Sequence, residues 1–306
     1  MRGTWFVLGG VICVGLLASI SYYIWNRWQE REVGRMAVAA DLAVKNRDYS
    51  KAEQLARLAL QRGSLKSDGP LGASVYRTLG DSLAGQGRYQ ESELALQECV
   101  DILETADPKG TPDLADDLKA LGTTEFQLRK YAAAESKYRQ SLEMLASTMG
   151  PDHLPEAEVM NDLAVTYYVE GKYTEAEPLY SRAIAIWKRD LGPRTPEVAQ
   201  ILNRLGMICQ AQKNYRKAES LYRESLEIYQ QGPEPNDNGT LAELNSLCQL
   251  YTDESDFSRA ESACKQALAT AQRDAAVDRL TKAIILTSLG DVYMNESKYV
   301  EETGWG

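Results

Sequence analysis

LGMICQAQKNYRKAESLY, residues 205–222, is one copy of a phrase that returns along the chain. Its aromatic, Tyr215, has counterparts at Tyr49, Tyr89, Tyr131, Tyr173, Phe257 and Tyr299; the first spacing is 40 residues and the next five are 42. Self-similarity at a fixed period marks an array of stacked units. Length alone suggests two domains, but a repeat array can run one core through 306 residues of 44% hydrophobic content.

Counted from that aromatic, position −10 holds Leu79, Leu121, Leu163, Leu205, Leu247 and Leu289, and position −13 holds Tyr76, Leu118, Met160, Leu202, Leu244 and Leu286. The i, i+3 spacing is one apolar face of a helix. Position −9 is small throughout: Gly80, Gly122, Ala164, Gly206, Cys248 and Gly290. Downstream, position +3 (Ala52, Ser92, Ala134, Ala176, Ala218, Ala260), position +7 (Ala56, Leu96, Tyr138, Tyr180, Tyr222, Cys264) and position +10 (Ala59, Cys99, Ser141, Ala183, Ser225, Ala267) form a small–large–small stripe on a second helix. Gly150-Pro151, Gly192-Pro193 and Gly232-Pro233 end helices between units.

Leu205-Gly206 followed by Ala218 and Tyr222 resembles the tetratricopeptide repeat. The period of 42 is similar to the longer variety in kinesin light chains, as in Met149-Gly150-Pro151-Asp152-His153-Leu154-Pro155-Glu156-Ala157. The resemblance covers about residues 36–301 and implies an all-α, right-handed superhelical solenoid of helix-turn-helix repeats with a peptide-binding mode. On this reading 36–306 is the array, six full repeats and an incomplete seventh, the first weakly matched and Ala-rich. The seventh has a first helix, Leu280 to Ser297, and no partner helix, which leaves Leu286, Leu289 and Tyr293 uncovered and open to a partner or to self-association, unless the array continues.

Residues 1–3 read as a short tail and 4–25, TWFVLGGVICVGLLASISYYIW, as a transmembrane helix: 22 residues without a charge, ending in aromatics suited to the lipid boundary. Residues 26–35 read as a juxtamembrane stalk. Arg27, Arg31 and Arg35 outnumber Arg2, which favours a cytoplasmic array over an exported one. The alternative is a cleaved signal peptide and a secreted soluble binder.

A net charge of −10 leaves no basic excess for phosphates, so nucleic acid is not an expected partner; segments carrying Lys or Arg are favoured instead. Cys13, Cys99, Cys209, Cys248 and Cys264 have no metal-ligand spacing and read as apolar fillers, although Cys248 and Cys264 fall in facing columns. His153 is the only histidine, and there is no phosphate-binding loop. Glu53, Glu93, Glu135, Glu177, Glu219 and Glu261 repeat in one column and read as structural. No catalytic residue, metal or cofactor is expected.

The candidate site is position −12: Arg77, Lys119, Asn161, Asn203, Asn245 and Thr287. The resemblance places this column on the concave groove, where carboxamides would bond an extended peptide's backbone and Arg77 and Lys119 would receive acidic groups. Position −8, with Asp81, Thr123, Val165, Met207, Gln249 and Asp291, shares that wall, and Phe126, Tyr168 and Gln210 supply pockets. The expected function is a membrane-anchored interaction scaffold holding a partner peptide or protein. The alternative is a structural subunit of a membrane or envelope assembly that uses helix edges and the open C-terminal end.

Overall fold

Each recurring aromatic through Phe257 opens a helix. The computed structural model describes residues 23, 27, 28, 30–62, 69–107, 110–232, 236–273 and 277–303, and every regular element among them is helical. In chain order these are α1 (30–45), α2 (Tyr49–Arg62), α3 (Pro70–Gly85), α4 (Tyr89–Ala106), α5 (Pro112–Gln127), α6 (Tyr131–Met149), α7 (Leu154–Val169), α8 (Tyr173–Asp190), α9 (Pro196–Ala211), α10 (Tyr215–Gln231), α11 (Asp237–Asp253), α12 (Phe257–Arg273) and α13 (Arg279–Thr303). The chain divides between Pro151 and Asp152 into two compact units, α1–α6 and α7–α13. Within each, an odd-numbered helix packs on the following even-numbered one, which packs on the next odd-numbered helix.

The turn inside each repeat is the same motif. In α5, Lys130 N–H reaches Glu125 O at 2.9 Å and Arg129 N–H reaches Phe126 O at 2.9 Å. These paired bonds close the helix through a left-handed residue. That residue stands two before the aromatic: Arg47, Gly87, Arg129, Gly171, Lys213 and Ser255, with φ between 59° and 75°.

The core columns interlock as their sizes dictate. A Cβ added to Gly206 would lie 2.5 Å from the Tyr222 ring, one on Gly122 3.0 Å from Tyr138, and one on Gly80 2.6 Å from Leu96. Tyr222, Tyr138 and Leu96 are fully buried in these seats, and Tyr180, whose repeat has Ala164 at position −9, is buried likewise. In the α11–α12 repeat the same two positions hold Cys248 and Cys264, which form a disulfide across a Cα separation of 5.4 Å and 16 residues. Reading all the cysteines as inert fillers is therefore corrected: Cys99 and Cys209 are free and buried, whereas this pair is a covalent staple. Closing a loop of that length contributes roughly 3 kcal/mol on the chain-entropy account.

The glutamate column joins consecutive repeats. Arg88 donates to Glu53 at 2.7 Å and Lys130 to Glu93 at 2.7 Å in the first unit; Lys217 donates to Glu177 at 2.6 Å and Tyr251 to Glu219 at 2.8 Å in the second. Burial works against the Glu53 charge, but Gln86, Arg57 and Arg88 outweigh it and hold the carboxyl at about 2. Glu261 does the same, accepting from Tyr293 at 2.7 Å, and this shared task is why the residue recurs.

The reading of a single-pass membrane protein, with its array on the cytoplasmic side, is corrected. Among the described residues no helix is long and apolar enough to cross a membrane. The span read over 4–25 lies outside them, apart from Tyr23. The helix that follows it, α1, is amphipathic: Glu32 and Arg35 pair on one side while Val33, Met36 and Ala37 pack against Ala56 and Ala59 of α2 and Val75 of α3. At the other end α13 runs on through Thr303 without the turn that the Lys298-Tyr299 step marks in earlier repeats. Leu286 and Tyr293 are exposed there, and a Cβ on Gly290 would meet nothing within 4 Å.

Candidate functional site

The residues of the −12 column divide between the two units. In the first, Arg77 of α3 donates through Nε to Asp117 of α5 and through Nη2 to Asp113 O at 2.9 Å. Asp117 is only 2% exposed at its side chain. Burial raises the Asp117 carboxyl while Arg77 pulls it down; for Arg77, burial works against the charge but Asp117 outweighs it. The contact geometry is that of a charged pair. Arg77 is thus a pin between repeats at the rim of a small cleft, about 130 Å³, that Ser74, Cys99 and Asp113 also line. Lys119 is half-buried on α5, and the Phe126 ring lies tilted on Tyr131 at 5.5 Å.

In the second unit Asn203 of α9 repeats the arrangement of Arg77. Its Nδ2 donates to Glu243 Oε2 at 2.8 Å and to Ser246 Oγ at 3.3 Å, both on α11. Glu243 is 1% exposed, and burial, only partly offset by the Asn203 and Ser225 donors, pushes its carboxyl up to about 7. Asn161 donates to its neighbour Asp162 at 3.1 Å. Asn245 Oδ1 is buried without a hydrogen-bond partner. The three asparagines therefore do three different things. Gln210 also bridges repeats, accepting from the Tyr222 hydroxyl at 2.8 Å and donating to Asp253 at 2.6 Å.

Position −8 and its helical neighbours line two clefts in this unit. One, of about 350 Å³, is walled by Val165, Tyr168 and Val169 of α7, Tyr180 of α8, and Asn203, Arg204 and Met207 of α9. Tyr168 stands tilted on Tyr173 at 5.6 Å, and burial pushes the Tyr180 hydroxyl up to about 12 even with Arg204 beside it. Arg204 has no carboxylate partner among the described residues. The other, of about 310 Å³, is walled by Gln210 of α9, Cys248, Gln249, Thr252 and Asp253 of α11, and Ser288, Asp291 and Asn295 of α13.

The structure thus brings Tyr168, Asn203 and Met207 together, and separately Gln210, Gln249 and Asp291. Sequence reasoning passed over Arg204, Ser288, Asp253 and Asn295. Positions −11 and −4 lie one helical turn to either side of −8, so the spacing alone would have located them. His153, the sole histidine, caps α7 by accepting from Glu156 N–H at 3.3 Å.

The family profiles described as "Tetratricopeptide repeat" match residues 38–109, 119–193 and 163–231, together more than half of the chain. No curated protein matches it. Among solved structures, BtubC (BKLC) from P. vanneervenii is 20% identical with a TM-score of 0.60, over 79% of this chain and 90% of that one. RapI in its apo form is 12% identical with a TM-score of 0.64, over 87% and 99%. A Rap protein complexed with competence and sporulation factor is 16% identical with a TM-score of 0.56, over 89% and 74%. At these identities the likeness is one of fold.

Proposed function

Because the chain belongs to the tetratricopeptide-repeat family, an interaction-scaffold fold, we propose that it is a non-catalytic scaffold whose odd-numbered helices in the second unit receive a segment of a partner protein. The observation that carries this is the cleft of Val165, Tyr168 and Met207, where apolar side chains from two consecutive repeats converge beside a guanidinium with no carboxylate partner among the described residues. A cleft of about 350 Å³ has the size and lining of a seat for an apolar side chain, with polar groups at the edge to orient the backbone. Asn161 and Asn245 remain as rungs for that backbone, whereas Asn203 and Arg77 hold repeats together. The Rap protein solved with competence and sporulation factor is a precedent for a bound partner on a related fold.

The test is crosslinking capture in cells with the full chain beside its Met207→Asp form, read by mass spectrometry. A buried carboxylate in the cleft should cost a partner that enters it at least about 2 kcal/mol, more than tenfold in affinity. A partner lost from the variant, with helicity kept, supports the groove. An unchanged set removes the groove from the function and moves attention to the exposed face of α13.

A further inference from the structure

The polar cleft between α9, α11 and α13 has no role in seating an apolar side chain. Its lining residues include two carboxylates, Asp253 and Asp291, and no Lys or Arg. Asp253 Oδ2 already accepts from Gln210 Nε2 at 2.6 Å, so its position is held from the neighbouring repeat. Asp291 is exposed on α13 and has no ion-pair partner among the described residues. Ser288 lines the same cleft at 8% exposure, and its hydroxyl has no hydrogen-bond partner there, unlike that of Thr287 beside it, which bonds back to Ala283 O at 2.9 Å. The Ser288 oxygen is not sealed from solvent, so it opens on the cleft and can accept from a donor that enters. Cys248, stapled to Cys264, forms part of the wall.

We propose that this cleft binds the ammonium or guanidinium of a Lys or Arg side chain on the segment that the groove receives. This rests on the reading of the groove as a peptide site and adds its charge specificity. Two carboxylates facing one opening repel each other and any anion, and a cation between them relieves that repulsion. An ammonium has donors enough for both carboxylates and the Ser288 hydroxyl oxygen, and a guanidinium has enough to reach the carboxamide oxygens of Gln249 and Asn295 as well. The volume, about 310 Å³, is at the low end for small-ligand sites, which suits one long side chain rather than a whole cofactor. No group of three or more metal-ligating side chains occurs among the described residues.

The test uses the immobilised full-length chain and a displayed library of random decapeptides. Wild-type selections should return peptides with Lys or Arg at one fixed position. A selected peptide should bind Asp291→Asn about tenfold more weakly, and Asp253→Asn/Asp291→Asn more weakly still. Changing the peptide's basic residue to Gln should cost the same factor on wild type and nothing further on the double variant, a cycle that separates the contact from any loss of fold. Equal affinity for wild type and double variant overturns the proposal. So do selected peptides with no fixed basic residue whose binding is still abolished by Met207→Asp, which leaves the groove reading intact. A library that yields no binder overturns both.

Discussion

The two clefts of the second unit occupy equivalent places in the repeat, two repeats apart, yet they are chemically opposite. Position −8 is Val165 and Met207 in one and Gln249 and Asp291 in the other; position −11 is Arg204 in one and Ser288 in the other. Beneath them position +7 is Tyr180 in the first and Cys264, bonded to Cys248, in the second. One backbone geometry thus offers an apolar seat with a cation at its edge and an anionic seat with none. The period shapes the clefts and the side chains between the core columns decide what enters, so core and site residues should separate under mutation.

The largest expected effect tests whether Tyr180 is core or wall. It is 1% exposed yet lines the first cleft. Truncation to Ala should cost roughly 3–5 kcal/mol, by analogy with buried aromatics elsewhere. Urea unfolding followed by circular dichroism would measure it. A loss below about 1 kcal/mol would break the comparison, because position +7 would then not be the shared scaffold of both clefts.

Glu243 links the two. It sits on α11, a wall of the anionic cleft, and is held by Asn203, a wall of the apolar one. The folded chain keeps the proton on Glu243 up to about 7, whereas the unfolded chain releases it near the ordinary value of 4.5. Between those values the unfolded state binds fewer protons, so stability should fall as pH rises and level off above about 7, by roughly 3 kcal/mol in all. Glu243→Gln should remove that fall. The check is the unfolding free energy of both forms from pH 4.5 to pH 8; a wild-type curve as flat as the variant's would mean that Glu243 ionises freely and that the link is not a buried one.

The periodic part of this architecture was legible in the sequence because each core position is reported several times over: up to α12, the leucines at −10, the small residues at −9 and the stripe of the second helix all lie where spacing put them. What was hidden occurs once or twice. Position −14 is Val75, Val159, Ile201 and Ile285, but Asp117 and Glu243 in the other two repeats, and each acid is paired with the −12 residue one repeat earlier, Arg77 or Asn203. An acid in an otherwise β-branched column was the available signal. Without it the −12 residues looked like one uniform ladder. The disulfide was hidden for a different reason: columns show that two cysteines face each other, not that their geometry permits a bond. The left-handed turn residue was masked by Arg47, Arg129, Lys213 and Ser255, since only Gly87 and Gly171 carry the usual marker.

That turn supplies the smallest test and bears directly on the two clefts. The helix that ends at the apolar cleft, α7, closes through Gly171 at φ 74°, and the one that ends at the anionic cleft, α11, closes through Ser255 at φ 60°. Hydrogen bonds at the two turns match, with Gly171 N–H on Tyr168 O and Ser255 N–H on Thr252 O, each at 3.0 Å. A Cβ on Gly171 would meet nothing within 4 Å, so the difference between the turns is one of backbone preference and not of packing. A side chain in this region costs about 1 kcal/mol relative to Gly, part of which the greater freedom of glycine in the unfolded chain takes back. Ser255→Gly should therefore stabilise the chain by about 0.5–1 kcal/mol and Gly171→Ser should destabilise it by a similar amount, both read from urea midpoints at constant slope. Opposite signs of equal size would establish the two turns, and hence the frames of the two clefts, as interchangeable. A loss from both substitutions would show instead that the Ser255 side chain has a task of its own beside the anionic cleft.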